Sequence, residues 1–256
     1  MHIIFSSMGN DSCALIQWAK EKGLQDVHVA YNNTGWHTEE WEERKKKISQ
    51  WINNIGFKFH EIKSMGMEQL VRSRKGWPLP RKFQFCTTEL KILPAQEFLQ
   101  KIDPDASSIC LVGVRREESK ERSKWPEWTE ESDKHGGRSL WSPLVSLKTA
   151  DRDALLARAG LEPLPYRSRE CFPCINANRS NMRDLPDERV YQIAQLEKDL
   201  GYTRNGKPRT MFRPYRHMGA TGIEEVVKWA KSKRGKYQPP VVLGDGLGCD
   251  SGMCGD

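Results

Sequence analysis

No apolar run in the sequence approaches the ~18–20 residues that a membrane-spanning helix requires. The opening Met1-His2-Ile3-Ile4-Phe5 lacks the charged and apolar regions of a secretion signal, so a cytoplasmic location with no membrane partner is expected. There is no internal repeat and no block of like charge. Forty-one Lys and Arg stand against 34 Asp and Glu, and the net +7 is spread along the chain, which favours a nucleotide or nucleic-acid partner only weakly. None of the six histidines has ligand spacing, which leaves them structural roles. A disulfide framework is not expected either, because a reducing compartment keeps the seven cysteines as thiols and turns them towards metal binding or thiol chemistry. What is present is ordinary globular material, 37% apolar and 29% charged over 256 residues, enough for one buried catalytic α/β domain and an appendage.

Strand and helix patterns alternate from the start. The apolar Ile3-Ile4-Phe5 runs into small polar residues and then a helical pattern (Ala14, Leu15, Trp18, Ala19) that stops at Gly23. Val27 to Tyr31 reads as a second strand ending in the turn residues Asn32-Asn33-Thr34-Gly35. A helix capped by Thr38 follows to about Asn54, with Trp41, Ile48, Trp51 and Ile52 as its stripe. Phe57 to Ile62 alternates like a strand, and Ile109 to Val114 is apolar apart from Gly113, as suits an inner strand covered on both faces. The pattern predicts an α/β fold: a doubly wound, mainly parallel sheet with helices on both faces, its ligand beyond the carboxyl ends of the strands. From about Asp151 the character changes to a short helical segment, a Pro-rich turn, a Cys-x-x-Cys, a helix from Asp187 to Leu200 and a basic Pro/Gly-rich tail. The expected division is a nucleotide-binding domain over 1–150 and a helical, cysteine-bearing region over 151–256 packed on it.

The loop after the first strand, Ser6-Ser7-Met8-Gly9-Asn10-Asp11-Ser12, sits where small residues let backbone N–H groups close round an anion at the positive end of a helix dipole. A plain turn with Asp11 or Ser12 as N-cap is the competing reading. Ser7-Met8-Gly9-Asn10-Asp11-Ser12 resembles the pyrophosphate-binding loop Ser-x-Gly-x-Asp-Ser of the PP-loop ATP pyrophosphatase and phosphoadenosine phosphosulfate (PAPS) reductase superfamily, with Met8 in place of the commoner Gly. In that family the loop holds the phosphates of ATP or the phosphosulfate of a sulfonucleotide.

Further stretches agree with this resemblance and occur in the family's order. Asn33-Thr34-Gly35 resembles the turn beside the nucleotide, which is otherwise a simple left-handed turn closed by Gly35. Cys86-x-x-x-x-Lys91-x-x-Pro94 resembles a segment in which Lys91 faces phosphate and Cys86 stands where adenylyl-sulfate reductases carry cluster cysteines, with one cysteine here instead of an adjacent pair. Gly113-x-Arg115-x-x-Glu118-Ser119-x-x-Arg122 resembles an anion-binding stretch, in which Arg115 and Arg122 fork around phosphate or sulfate and Glu118 fixes one guanidinium. The Pro-Leu-Tyr turn at 163–166 and Cys171-x-x-Cys174 complete the order. The resemblance therefore implies an adenine-nucleotide site of Ser6, Ser7, Gly9, Asn10, Asp11, Ser12, Asn33, Thr34, Gly35, Lys91, Arg115, Glu118, Ser119 and Arg122.

Cys171 and Cys174 pair with Cys249 and Cys254 as a thiolate set for zinc or an iron–sulfur cluster, with Cys86 competing for a place; the resemblance favours a 4Fe–4S cluster. The flexible Cys254 can alternatively act as a nucleophile, although the Glu-Cys-Gly-Leu ending of PAPS reductases is absent. The catalytic set is then Asp11, Ser12, Lys91 and Cys254. Cys13 and Cys110 fall in a helix and an apolar strand, where cysteine is a small buried hydrophobe. The reaction expected is sulfur transfer or reduction on an adenine nucleotide. One branch uses ATP, with Mg²⁺, to activate a base in tRNA or a DNA component for thiolation from a sulfur donor; the other reduces PAPS or adenylyl sulfate to sulfite with a thiol reductant. Arg72 to Phe85 and Arg204 to His217 mix basic and aromatic residues, as either a cradle for a nucleic-acid strand or solvated loops. A zinc-stabilised nucleic-acid-binding protein without catalysis is the reading of another class.

Overall fold

The computed structural model describes residues 1–80, 83–212 and 221–232. In chain order its elements are β1 (His2–Phe5), α1 (Asn10–Glu21), β2 (Val27–Asn33), α2 (Glu39–Asn54), β3 (Lys58–Lys63), α3 (Met67–Ser73), a single turn α4 (Phe85–Thr87) leading through a π-helical stretch (Thr88–Ile92) into α5 (Leu93–Ile102), β4 (Ile109–Leu111), β5 (Trp128–Ser132), β6 (Arg138–Trp141), α6 (Thr149–Arg158), α7 (Arg179–Arg183), α8 (Asp187–Leu200) and α9 (Ile223–Lys231). They fall into two compact units. A sheet unit holds Met1–Gly66 and Thr87–Phe172, and a helical unit holds Met67–Cys86 and the described residues from Pro173 on.

Six strands lie in the order β3-β2-β1-β4-β6-β5, all parallel except the edge strand β5, which runs antiparallel to β6. Period-two alternation sends neighbouring residues to opposite faces. Ile4, Val29 and Tyr31 pack under α1, α2 and α6 with Leu15, Ile16, Ile48, Ile52, Leu155 and Leu156. Ile3, Phe5, Ala30 and Cys110 pack on the other side with Ala95 and Leu99 of α5. This is the doubly wound, mainly parallel α/β architecture that the alternation predicts. Consecutive connections leave β1 in one direction and arrive at β4 in the other, so the switch point lies between β1 and β4.

The structure departs from the sequence reading in four places. The apolar run from Ile109 yields only a three-residue strand, because the chain leaves the sheet after Leu111 to place Gly113 against the first loop. Strands β5 and β6 are unheralded in a polar sequence, since a short edge hairpin needs few apolar residues. The compositional change at 151 is not a break in the core. Leu155 and Leu156 of α6 are buried beside α1, so the sheet unit runs on to Phe172, and Met67–Cys86 falls in the other unit. Within α2, Trp51 is only part-buried, and the fourth position of the inner stripe is Lys45, whose ammonium is held at 2.8 Å by both Glu42 and Glu61.

In the helical unit α9 packs on α7 and α8, and α3 packs on α8. Its centre is Met182, Ile193, Leu196, Ile223, Val226 and Ala230. The Glu197 carboxylate accepts from the backbone N–H of Met211 (2.8 Å) and of Ile223 (2.9 Å), holding Met211 and the start of α9 to the same point of α8.

His135, in the turn joining β5 to β6, is fully buried against the Phe5 ring and hydrogen-bonds through Nδ1 with Ser132 Oγ at 2.7 Å. Burial, reinforced by Lys134 and Arg138, lowers its pKa to about 4. A depressed folded-state value means that the neutral ring stabilises the fold above the ordinary value near 6.5, and that this contribution is lost as pH falls towards 4. In urea unfolding, wild type should lose up to about 3 kcal/mol more than His135→Phe between pH 6.5 and 4. Parallel profiles for the two proteins exclude this role.

Candidate functional site

The loop between β1 and α1 is built to leave backbone donors available. Gly9 is the N-cap of α1, and no side chain caps the helix, so the first-turn amides face outward with the positive end of its dipole. Instead the serines brace the loop from within. Ser6 Oγ accepts from Met8 N (3.1 Å), Ser7 Oγ accepts from Gly9 N (3.3 Å), and Ser12 Oγ donates to Gly9 O (3.2 Å). Met8 takes a left-handed φ of 61°, the conformation for which Gly is the usual residue, and its side chain is fully buried. The Asn10 amide exchanges two hydrogen bonds with the backbone of Leu164 (3.0 and 2.9 Å), tying the helix start to the Pro-rich turn.

The loop after β4 meets the first loop across the switch point. A Cβ on Gly113 would sit 2.8 Å from Asp11 O, so only glycine allows the two backbones this close. The approach brings Arg115 onto Asp11, Nε to Oδ1, and Arg152 of α6 reaches Asp11 Oδ2 at 3.5 Å. Arg44 of α2 adds a third guanidinium, donating to Met8 O at 2.7 Å. The two guanidiniums expected to fork around an anion, Arg115 and Arg122, each engage carboxylates. Glu118 does fix one guanidinium, accepting from Arg122 Nη1 at 2.5 Å and from Arg115 N at 2.9 Å, and Ser119 Oγ accepts from Arg122 N. Arg115, however, is spent on Asp11 and Glu117, because a buried carboxylate demands a partner.

The Asn33-Thr34-Gly35 turn also serves to position neighbours. Asn33 accepts from Gly35 N (2.8 Å) and donates to Glu61 (2.6 Å), and Gly35 has φ 62°. Thr34 donates to Glu170 O at 3.1 Å. One residue earlier, Asn32 is 3% exposed and its Oδ1 has no hydrogen-bond partner among the described residues; the Tyr31 hydroxyl is in the same position. Lys91, on the π-helical stretch, forms an ion pair of 2.7 Å with Glu170, both nearly inaccessible to solvent. Glu170, Arg152 and Arg44 were not foreseeable as site residues. Glu170 has the single cue of standing directly before Cys171, and the two arginines lie in ordinary amphipathic helices whose inward faces only packing defines.

The cysteines divide by environment. Cys13 and Cys110 are buried, and burial raises their pKa values to about 11 and about 12, which makes them inert as thiolates. Cys86, Cys171 and Cys174 are part-exposed and unbridged. Cys174 Sγ accepts the backbone N–H of Asn176 at 3.5 Å, and Phe172 N donates to Trp36 O at 2.8 Å beside the first thiol of the motif. Cys249 and Cys254 lie outside the described residues. Among the described residues no three His, Cys, Asp or Glu side chains are grouped to hold a metal ion, and no helix is long and apolar enough to cross a membrane.

Residues 1–206 match the sequence model of the phosphoadenosine phosphosulfate reductase domain. The chain belongs to that family. It is similar, at 27% identity over 208 residues, to an uncharacterized 37.8 kDa protein in the gpa 5' region of Escherichia phage 186. The match covers 68% of this chain but only 60% of that protein. A crystal structure of phosphoadenylyl-sulfate (PAPS) reductase from Candida auris, in complex with phosphate, matches at 13% identity and a TM-score of 0.48, over 63% of this chain and 74% of that one. The match over the first 206 residues spans the stretch in which the motifs from Ser7 to Cys174 occur.

Removing one member of the Lys91–Glu170 pair leaves the other charge buried. Glu170→Ala should lower stability in urea by about 3–5 kcal/mol, and the double variant Lys91→Met/Glu170→Leu should recover most of that loss. A single variant as stable as wild type would show that the pair carries no such charge.

Proposed function

We propose that the sheet unit is an adenine-nucleotide enzyme of sulfur chemistry, in which the β1–α1 loop receives the phosphate or phosphosulfate end of ATP or a sulfonucleotide. The observation that carries this reading is the loop itself: an uncapped helix N-terminus behind Gly9, ringed by Arg44, Arg115 and Arg152 at the switch point of a parallel sheet. Beside it, the buried Asn32 Oδ1 is an acceptor that costs about 1–3 kcal/mol while unsatisfied, and a ligand N–H at the end of β2 removes that cost.

In this reading the chain binds and orients. First-turn amides of α1 and the serine-braced loop hold the transferred or departing phosphate. Arg115 and Arg152 hold the Asp11 carboxylate in place. Met8 fills the space beneath the loop and excludes water. In the ATP branch an acceptor oxygen attacks the α-phosphorus and pyrophosphate departs on the loop; in the reductive branch a thiol reductant supplies two electrons and sulfite is released. Cys171 and Cys174 are the chain's own candidates to hold a metal centre, with Cys86, Cys249 and Cys254 for the remaining places. The N–H donated to Cys174 Sγ is a fit to that role, since hydrogen bonds to sulfur stabilise a ligating thiolate. An iron–sulfur cluster bound there would supply electrons or sulfide, and zinc in its place would supply structure alone.

ATP, PAPS and adenylyl sulfate offered in turn to anaerobically purified protein should identify one nucleotide that is bound and turned over. Asp11→Asn and Ser12→Ala should each reduce that turnover by about 10²-fold or more while the far-ultraviolet circular dichroism is unchanged. Normal turnover in both variants overturns the assignment of the loop. For the metal centre, Cys174→Ser should lose iron or zinc and melt at a lower temperature, whereas Cys13→Ser keeps its metal. Full occupancy in Cys174→Ser refutes the site.

A further inference from the structure

The net charge that looks evenly spread along the sequence is partitioned between the two units. The described residues of the sheet unit carry 22 Lys and Arg against 23 Asp and Glu, a net −1, while those of the helical unit carry 12 against 8, a net +4. Along the sequence the bias sharpens after α8. Residues 201–236 hold ten Lys and Arg, only two acidic residues, and four aromatics interleaved with them.

One part of this stretch is a built element. Residues 201–209 fold back on themselves as a tight hairpin: Arg209 N donates to Gly201 O (2.9 Å), Thr203 N to Lys207 O (2.7 Å), Gly206 N to Thr203 O (2.9 Å) and Lys207 N to Thr203 Oγ1 (3.1 Å), with Tyr202 bridged to Pro208. The amides of Thr203, Gly206, Lys207 and Arg209 are thus spent internally, and the exposed side chains include Tyr202, Arg204 and Lys207. Tyr202 is 70% exposed, the most exposed of the large hydrophobic residues described. Arg204 and Lys207 are exposed and form no ion pair among the described residues. Some exposed cations of the protein are by contrast engaged, as with Arg72 to Asp199 and Arg158 to Glu21. An exposed ring flanked by unpaired cations on a short rigid turn fits a chain of regularly spaced phosphates and stackable bases. An anionic membrane surface asks instead for a broad apolar helical face beside the charges, which the hairpin lacks.

We propose that the 201–209 hairpin is a contact site for single-stranded nucleic acid, with Tyr202 stacking on a base and Arg204 and Lys207 neutralising adjacent phosphates. This goes beyond the nucleotide chemistry of the sheet unit and is independent of it.

The test uses the full chain and fluorescence anisotropy with labelled 20-nucleotide single strands of DNA and of RNA, their duplexes, and phosphatidylserine-containing vesicles, between 50 and 200 mM KCl. Single strands should bind with a salt-dependent affinity, and the DNA and RNA arms show which polymer is preferred. The double variant Arg204→Glu/Lys207→Glu should bind at least tenfold more weakly and reduce the log–log salt slope by about 1.4, from ~0.7 per phosphate contact. Tyr202→Ala should lose about tenfold with an unchanged slope, and Tyr202→Phe should retain affinity, because the ring and not the hydroxyl stacks. Wild-type binding by the double variant, equal loss in Tyr202→Ala and Tyr202→Phe, or tighter binding to vesicles than to single strands overturns the proposal. Nucleotide binding by the same variants is read separately, so loss of one reading leaves the other standing.

Discussion

The contact on which the site depends is the buried ion pair between Asp11, in the first turn of α1, and Arg115, in the loop after β4. It joins the loops on either side of the switch point, where a doubly wound sheet leaves its crevice. The pair forms only because Gly113 has no Cβ to hold the two backbones apart. A charge taken out of water is costly unless it is paired and hydrogen-bonded, so the partner must be present before any ligand arrives. The loop is therefore preorganised: serines brace it from within, Asn10 anchors it to Leu164, and Arg152 and Arg44 approach from two further helices.

The same economy governs the rest of the sheet unit. Lys91 is neutralised by Glu170, Arg122 by Glu118 and Arg138 by Asp103 beneath the surface, and the buried Lys45 by Glu42 and Glu61. For Asp103 burial pushes the carboxyl pKa up, but hydrogen bonds from Ser108 and Arg138 outweigh it and hold the group well below the usual carboxylate range. Lys45 shows the converse balance, burial opposing its charge and Glu42 and Glu61 restoring it. Several residues that resemble ligand contacts are thus also the support of the site. Lys91 pairs with Glu170, and Glu118 and Ser119 both hold Arg122, while no side chain caps the first turn of α1.

The helical unit is organised differently. The Glu197 carboxylate is given to backbone amides at Met211 and Ile223, and Arg204 and Lys207 of the 201–209 hairpin stay on the surface without acidic partners among the described residues. The sheet unit is close to neutral and buries several of its ion pairs, while the described residues of the helical unit carry a net positive charge.

The sequence by itself determined the alternation of strands and helices, the loop from Ser6 to Ser12, the family, and even α8 to the residue, because these rest on local periods, caps and short motifs that a chain carries without its partners. It did not determine β5 and β6, whose pairing is with distant residues and whose sequence is mostly polar. Nor did it show that α6 belongs with the sheet, since Leu155 and Leu156 are an apolar pair that any core could take, and only contact with α1 says which one did. At the site, the residue types were legible and their partners were not. Arg115 pairs with Asp11, Glu170 had only its place before Cys171 as a cue, and Arg152 carried no signal. Charge pairing over a hundred residues of chain is settled by the need of each buried ion for an opposite one within about 4 Å, and that distance exists only once the sheet has brought the loops together.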